Sequence, residues 1–151
     1  MTYVAGPKPA ASGCIFCDLP ARGDPRENLV LCADEHTVVM LNRYPYNSGH
    51  LMVAPRDHVA DPLALSADGY RALMERFRDA LAVVRRVFAP DGMNVGANLG
   101  RIAGAGVADH LHWHIVPRWE GDTNFMPTLA DTRVMPQHLL ESYDALRPHF
   151  A

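Results

Sequence analysis

The sequence predicts one α+β domain built on a mainly antiparallel, five-stranded sheet, with one long helix and a shorter C-terminal helix. Five short apolar runs have the length and composition of strands, and one long segment has helical periodicity. Strands and helices do not alternate regularly, which favours an antiparallel sheet over a parallel one. A chain of 151 residues, about half of them apolar, is long enough for a single domain with its own core.

The first three strands are predicted in the N-terminal half of the chain. Residues 29–32 and 37–41 are apolar runs separated by two acidic residues, which is the pattern of a hairpin. Residues 44–49 are rich in turn-forming residues, so we expect a loop there. The third strand covers residues 50–54 and stops at a proline.

The long helix is predicted from Ser66, a favourable N-cap, to about Phe88. Pro90 and Gly92 follow and end it. Six apolar side chains recur along this segment at helical spacing and predict one buried stripe: Leu73, Phe77, Ala80, Leu81, Val84 and Phe88.

The C-terminal half contains the other two predicted strands. They cover residues 93–98 and 111–116, on either side of a tight, Gly-rich loop at residues 100–106. The last helix is predicted at residues 136–146, with Pro148 just beyond its end.

Charge and hydropathy exclude several classes of protein. The net charge is −3 and the basic residues form no block, so a surface for duplex nucleic acid is not expected. No apolar run approaches the roughly 18–20 residues that cross a bilayer, so no membrane partner is expected. Residues 1–13 lack the features of a signal peptide, and we expect a flexible arm there before a single domain at residues 14–151. We therefore expect a cytoplasmic protein.

Three closely spaced histidines, His110, His112 and His114, are the strongest functional signal. On a strand, residues two apart point to the same face, so the three imidazoles are expected together. The residues between them, Leu111 and Trp113, are apolar and are expected to face the core. Three histidines in register directly after a Gly-rich loop indicate a site rather than a chance cluster.

A catalytic metal held by all three histidines is a rival interpretation. Alternate residues on a strand are about 6.6–6.8 Å apart, so the first and third backbone positions lie roughly 13 Å apart. Ligand nitrogens must lie about 2.0–2.1 Å from zinc. An adjacent pair can share one metal, but the whole run on a regular strand cannot. The three histidines are therefore expected to have different roles.

One of these roles is nucleophilic attack on phosphorus. A neutral imidazole can attack when one ring nitrogen is unprotonated and the other is held by an acceptor. The phosphoryl oxygens then need hydrogen-bond donors. The loop of Gly104, Ala105, Gly106 and Val107 can offer backbone N–H groups for them.

These residues resemble the histidine-triad (HIT) family, whose motif alternates histidines with apolar residues. Here the motif reads His-Leu-His-Trp-His-Ile-Val over residues 110–116. Residues 118–127 resemble the branch that contains bacterial diadenosine tetraphosphate phosphorylases and hydrolases. Further matching segments follow the family's order along nearly the whole chain: Cys14-Ile-Phe-Cys17, Leu41-Asn42, residues 49–55, His58, residues 94–100 and Pro117-Arg118.

The resemblance implies a role for each matching position. His112 would be the nucleophile on an α-phosphate, and His114 would position that phosphate. Asn42 would bind the ribose, Asn98 would approach the phosphate or the leaving group, and His50 would lie close to the triad. Family members are typically homodimers with one continuous sheet, so a homodimer is expected.

The loop before the triad departs from the family pattern. Many members have Gln and then Ser or Thr shortly before the first histidine, whereas this chain has Ala105, Gly106 and Val107. Backbone N–H groups of residues 104–107 can still bind phosphate. The group that protonates the leaving group, and with it the choice of leaving group, is left open.

Cys14 and Cys17 form a Cys-x-x-Cys pair, which is typical of a metal site but also occurs as two free cysteines. A structural zinc site needs two more nitrogen or sulfur ligands. In zinc-bearing family members these come from the positions of His58 and His110, so the resemblance implies structural zinc at these four residues. Cys32 lies in an apolar strand and is expected in the core.

The resemblance implies an enzyme that acts at the α-phosphate of nucleoside or dinucleoside polyphosphates, of the diadenosine tetraphosphate type, through a nucleotidyl-histidine intermediate. Both a phosphorylase and a hydrolase fit the motif. Three alternatives stay open: a nucleoside phosphoramidate hydrolase, a zinc-stabilised nucleotide-binding module without turnover, and a metallohydrolase. Trp119 and Asn124 are candidates for reaching a nucleotide across a dimer interface.

Overall fold

The computed structural model describes residues 13–122 and 138–150. Their five strands form one sheet of order β1-β2-β3-β5-β4 in which every neighbouring pair is antiparallel. The α+β class and the antiparallel five-stranded sheet are thus confirmed. The strands are β1 (Val30–Ala33), β2 (Thr37–Leu41), β3 (Leu51–Pro55), β4 (Gly92–Ala97) and β5 (Trp113–Arg118).

Three α-helices accompany the sheet in these ranges: α1 (Ile15–Asp18), α2 (Ala67–Phe88) and α3 (Leu139–Leu146). The predicted N-cap of α2 is confirmed, because Ser66 Oγ accepts a hydrogen bond from the Gly69 N–H at 3.0 Å. The helix ends at Ala89, which takes the left-handed conformation usually left to glycine. Short 3-10 turns lie in the connections: Leu19–Ala21, Pro62–Ala64, Arg101–Ala103 and Arg147–His149.

Different helices pack on the two faces of the sheet. α2 and α3 pack on one face and form the larger core cluster, to which Leu111 belongs. Trp113 lies on the same side, with its ring centroid 5.1 Å from that of Phe77 in α2. On the opposite face, α1 contributes Phe16 to a smaller cluster with Met40 and residues of β3. Because side chains alternate along a strand, this smaller cluster shares its face with His114.

The last strand begins two residues later than predicted, at Trp113. The other strands begin and end within one residue of the prediction. The Leu111 N–H donates to the Val59 carbonyl at 2.6 Å instead of joining the sheet. Pro55 closes β3 opposite this segment and has no N–H to extend the ladder. His110 and His112 therefore precede the strand, and only His114 lies within it.

Parts of the predictions fall outside the described ranges. Residues 1–12 of the predicted arm, Asn124, and the first two residues of the predicted last helix, 136–137, do so. The rest of that helix corresponds to α3. No helix in residues 13–122 or 138–150 has both the length and the apolar character that crossing a bilayer requires.

Candidate functional site

A cleft of about 420 Å³ opens on the sheet face that α1 covers. This volume lies within the roughly 300–1,000 Å³ typical of small-molecule sites. His112, His114, Asn42 and the loop residues Gly104, Gly106 and Val107 line it. The other walls are mostly apolar or aromatic: Ile15, Leu19, Leu29, Met40, Leu41, Tyr44, Tyr46 and Met52.

The imidazole of His112 has Nδ1 in a hydrogen bond, whereas its Nε2 has no hydrogen-bond partner among residues 13–122 and 138–150. Its Nδ1 lies 2.8 Å from the backbone carbonyl oxygen of His110. Because a carbonyl only accepts, Nδ1 donates the proton and Nε2 keeps its lone pair. Burial also lowers the pKa of His112, which favours the neutral ring. The chemical requirements of a nitrogen nucleophile are therefore met at Nε2.

The ring of His112 rests on Phe16, which sequence reasoning had missed. The two ring centroids are 5.0 Å apart with an interplanar angle of 29°, and Phe16 also lies 5.1 Å from the ring of His110. Phe16 is buried in α1, between the two cysteines in sequence. α1 thus supports one face of the His112 ring, although Phe16 itself does not line the cleft.

A chain of hydrogen bonds sets the proton positions on His50 and His114. The Tyr46 backbone N–H donates to His50 Nδ1 at 3.1 Å, so that nitrogen is an acceptor. His50 Nε2 then carries the proton and donates to His114 Nδ1 at 2.9 Å. His114 is left with its proton on Nε2. His114, which lines the cleft, therefore presents an N–H donor.

Both of these histidines are held in the neutral form. Burial, then the neighbouring imidazoles of His114 and His112, lowers the pKa of His50 to about 3. Burial, then His112, lowers the pKa of His114 to about 4. Neutral rings at pH 7 are what the hydrogen-bond chain requires, since each ring has one donor and one acceptor nitrogen.

The loop before the triad offers backbone groups rather than side chains. Gly104 has a φ of 90°, a conformation that favours glycine. A Cβ there would lie 3.6 Å from Nδ2 of Asn98, so Asn98 lies beside the loop rather than in the cleft wall. Ala105 lines a neighbouring depression together with Arg101. Val107 packs against the cluster around Phe16, so its side chain contributes to packing instead of hydrogen bonding.

Asn42 lines the cleft with its amide orientation fixed. Its Oδ1 accepts the Tyr44 backbone N–H at 2.9 Å. Within residues 13–122 and 138–150, Nδ2 of Asn42 has no hydrogen-bond partner, so this group is available to a ligand hydroxyl.

Cys14, Cys17, His58 and His110 form a cluster that can hold a metal ion, since their ligand atoms all lie within 4.8 Å of one another. A tetrahedral zinc site with ordinary bond lengths has sulfur–nitrogen edges of about 3.6 Å and nitrogen–nitrogen edges of about 3.3 Å. The three sulfur–Nδ1 distances here are 3.3, 3.4 and 3.5 Å, and the two Nδ1 atoms are 3.2 Å apart. The edges of the cluster therefore fit a four-coordinate ion.

The protonation of these ligands also favours a cation. His110 Nε2 donates to the Pro55 carbonyl at 2.8 Å, so its Nδ1, which faces the cysteines, is unprotonated. Burial, then the neighbouring Cys14, raises the pKa of the Cys17 thiol to about 11. A thiolate at this place thus needs a positive ion beside it.

The structure gives the three histidines of the triad different surroundings. His110 lies with the cysteines, while His112 and His114 line the cleft. His50 lies behind His114, and Tyr46 supplies the hydrogen bond that orients His50. Phe16 and Tyr46 had a weak signal in the sequence, because Phe16 is one of the two variable positions between Cys14 and Cys17 and Tyr46 lies in the turn-rich loop before His50.

The HIT domain family matches residues 25–121, which is more than half of the chain. The chain belongs to the histidine-triad family. The family resemblance inferred from the motif is thereby confirmed.

Curated relatives of this HIT protein include enzymes with different substrates. An AP-4-A phosphorylase of Mycobacterium tuberculosis is 40% identical over 136 residues, which cover 90% of this chain and 69% of that protein. An adenosine 5′-monophosphoramidase of Schizosaccharomyces pombe is 34% identical over 108 residues, which cover 70% of this chain and 74% of that protein. Nucleotide-processing enzymes thus occur among its homologues.

Solved structures agree on the fold. A HIT family protein of Bacillus subtilis has a TM-score of 0.66 and 26% identity, covering 84% of each chain. A Zn-bound histidine triad family protein of Mycobacterium smegmatis has a TM-score of 0.69 and 22% identity, covering 91% of this chain and 93% of that one.

Proposed function

We propose that this HIT protein transfers nucleotidyl groups from nucleoside or dinucleoside polyphosphates through a nucleotidyl-His112 intermediate. The observation that carries the proposal is the hydrogen bond from His112 Nδ1 to the His110 carbonyl. It leaves Nε2 with a lone pair in a cleft of ligand size, beside a Gly-rich loop.

In the first step, Nε2 of His112 attacks the α-phosphorus and forms a P–N bond. The bond from phosphorus to the bridging oxygen breaks, and that oxygen leaves with the electron pair as part of the remaining polyphosphate. The ring becomes positively charged while Nδ1 still carries its proton. The His110 carbonyl, 2.8 Å away, stabilises this charge.

His114 supplies the side-chain donor of the site. Its Nε2–H can donate to a non-bridging oxygen of the α-phosphate or to the leaving group. Gly106 and Val107 also line the cleft, and we assign their backbone N–H groups as further donors to the phosphate. Together they take over the role of the hydroxyl and amide side chains that residues 105–107 lack.

In the second step, water or inorganic phosphate attacks the same phosphorus from the side opposite His112. The P–N bond breaks and its electrons return to Nε2, so the neutral ring is restored. Water gives up a proton to solvent and yields a nucleoside monophosphate, whereas phosphate yields a nucleoside diphosphate. The acceptor therefore decides whether the enzyme is a hydrolase or a phosphorylase.

We further propose that the metal cluster binds structural zinc. Thiolate and imidazole are ligands that zinc favours, and the measured edges fit its tetrahedral geometry. Bound zinc would supply a charge that holds both cysteines as thiolates. The cysteines in turn hold α1, which contributes Ile15 to the cleft and Phe16 to the floor under His112; the 3-10 turn that follows α1 contributes Leu19.

The M. tuberculosis relative supports a diadenosine tetraphosphate substrate. A nucleoside phosphoramidate is the second candidate, supported by the S. pombe relative. An amine leaving group must be protonated as it departs, and the Nε2–H of His114 is a donor suited to that task.

A homodimer is also part of the proposal. In the described part of the chain, β4 pairs with β5 alone, so its other edge is open to a second copy. Val95 on this strand is 50% exposed, which is high for a strand apolar residue. Sedimentation should give twice the monomer mass; a monomer at micromolar concentration would contradict this part.

Turnover of diadenosine tetraphosphate, with and without inorganic phosphate, tests the proposal. ADP formed only with phosphate identifies a phosphorylase, and AMP with ATP formed in its absence identifies a hydrolase. Adenosine 5′-phosphoramidate is assayed in parallel. We expect His112→Ala to lower the rate about 10³-fold or more, while His36→Ala, at an exposed histidine, keeps it. Nucleotide binding without turnover of any of these compounds would instead indicate a binding module.

A further inference from the structure

Asn28 lines the cleft with an amide whose orientation is chemically determined. Its Nδ2 donates to two backbone carbonyls, that of Leu19 at 3.3 Å and that of Arg22. Carbonyl oxygens only accept hydrogen bonds, so the nitrogen must face them and the oxygen must point away. Both N–H groups of this amide are used by the protein.

The oxygen of the same amide is an unused acceptor. Among residues 13–122 and 138–150, Oδ1 of Asn28 has no hydrogen-bond partner. The backbone next to it is also unusual, since Leu29 has a φ of 62° although it is not a glycine. This conformation and the two carbonyl contacts hold the Asn28 side chain at the cleft wall.

Asn28 lies beside the segment that contains Asn42. The Leu41 N–H donates to the Leu29 carbonyl at 2.9 Å, and the Arg43 guanidinium donates to the Glu27 carbonyl at 3.1 Å. These two contacts pair residues 27–29 with residues 41–43, so Asn28 and Asn42 are neighbours. A nucleoside whose ribose contacts Asn42 therefore has Asn28 within reach of its base.

The surroundings of Asn28 cannot distinguish one base from another by shape alone. Leu19, Leu29 and Leu41 offer apolar surface that accepts the face of any base. Apolar contacts discriminate weakly between molecules of similar size, whereas a fixed hydrogen-bonding group rejects a ligand that cannot pair with it. A single oriented acceptor in an apolar wall is such a group.

We propose that Asn28 selects the base: its Oδ1 accepts a hydrogen bond from an exocyclic amino group, so adenine nucleotides bind in preference to hypoxanthine nucleotides. Hypoxanthine has a carbonyl oxygen in place of the amino group of adenine, and two acceptors would then face each other without a hydrogen between them. The inference rests on the proposed nucleotide function and names a feature of the base, an exocyclic amino group, that the same cleft prefers.

Equilibrium binding of AMP and IMP to the full chain, by calorimetry, tests this proposal without relying on turnover. The loss of one hydrogen bond at the partly buried Asn28 amide predicts about tenfold tighter binding of AMP than of IMP. N6,N6-dimethyl-AMP has no amino hydrogen and should bind about as weakly as IMP. Equal affinities of the wild type for AMP, IMP and the dimethyl compound would overturn the proposal.

The variant Asn28→Ala separates selection from scaffolding. Loss of the acceptor should reduce the AMP-to-IMP preference from about tenfold to nearly onefold. A merely structural role would weaken both nucleotides and keep their ratio, which would contradict the proposal. Asn47→Ala is the matched control, because Asn47 also donates to a backbone carbonyl, that of Pro117 at 3.1 Å, but does not line the cleft. The AMP-to-IMP preference of Asn47→Ala should remain that of the wild type.

The outcomes also separate this proposal from the proposed function. AMP selectivity without any turnover would retain the role of Asn28 and remove the enzyme. Turnover of adenine and hypoxanthine substrates at equal kcat/KM would retain the enzyme and remove the role of Asn28. Failure of the wild type to bind any nucleotide would overturn both.

Discussion

Phe16 provides a sensitive test of how α1 supports the His112 imidazole, the proposed nucleophile. The substitution Phe16→Leu keeps an apolar side chain but removes the ring that contacts both His110 and His112. Aromatic pairs contribute about 0.5–1.5 kcal/mol each beyond the area that they bury. Two lost pairs predict a loss of about 2 kcal/mol in the free energy of unfolding. For a domain of this size that loss corresponds to a fall in Tm of about 4–8 °C.

The effect on catalysis should appear in kcat rather than in KM. Phe16 touches the ring of His112 but does not line the cleft, so nucleotide contacts are kept. A nucleophile that is free to tilt loses its alignment with the phosphorus, and displacements of about 1 Å can cost about 10²-fold in rate. We expect kcat to fall about 10- to 100-fold and KM to change less than about threefold.

Phe77→Leu is the matched control for this variant. Phe77 contacts Trp113 on the opposite face of the sheet from Phe16, with ring centroids 5.1 Å apart. One lost pair predicts about 1 kcal/mol of destabilisation, or about 2–4 °C, with kcat unchanged. Both proteins are assayed well below their Tm, with equal zinc content by a colorimetric assay. Equal kcat values for the two variants would refute a positioning role for Phe16.

Three further predictions address the histidine chain and the metal. His50→Leu removes the donor to His114 and should lower kcat tenfold or more. His50→Gln should keep most of the rate, because its amide can reach the place of Nε2. An equal loss of kcat in both variants would contradict the role of the His50–His114 hydrogen bond. The pKa of His50 is about 3 when folded and about 6.5 when unfolded, so the unfolded chain binds more protons between these values and stability falls as pH drops through this window. In urea titrations, His50 should account for a free energy of unfolding that is about 2 kcal/mol lower at pH 5 than at neutral pH. The variant His50→Gln should lose this part of the pH dependence of the unfolding free energy. An unchanged pH dependence in the variant would show that His50 does not titrate in this way. Cys17→Ser should lose the bound zinc, while Cys32→Ser, at a cysteine outside the cluster, should keep about one zinc per chain; full occupancy in Cys17→Ser would remove it from the ligand set.

Much of the fold could be predicted because short-range pattern decides it. Apolar alternation placed four strands to within one residue, and the cap at Ser66 marked the start of α2. The start of β5 was wrong because it depends on a tertiary contact, the hydrogen bond from Leu111 to Val59, and on the proline that ends β3. Neither partner lies near the triad in sequence.

The site could be predicted where a motif marks it and not where packing alone builds it. The triad and the cysteine pair are recognisable from spacing, and their ligand atoms lie where a metal and a cleft require them. The contact of Phe16 with His112 spans 96 positions of sequence, and its only local signal is its place between two cysteines. The orientation of Asn28 depends on two carbonyls of a 3-10 turn and the residue that follows it, which no periodicity reveals.

The covalent intermediate is the central claim, and trapping it is the most direct test. The protein is mixed with diadenosine tetraphosphate labelled in the adenosine, quenched within one turnover, and examined by mass spectrometry for an acid-labile adenylyl group. We expect the label on His112 in the wild type, none in His112→Ala, and label retained in the control His36→Ala. Among the histidines of residues 13–122 and 138–150, only His112 combines an unprotonated, unpaired ring nitrogen with a place in the cleft. Equal labelling of the wild type and His112→Ala would contradict the account.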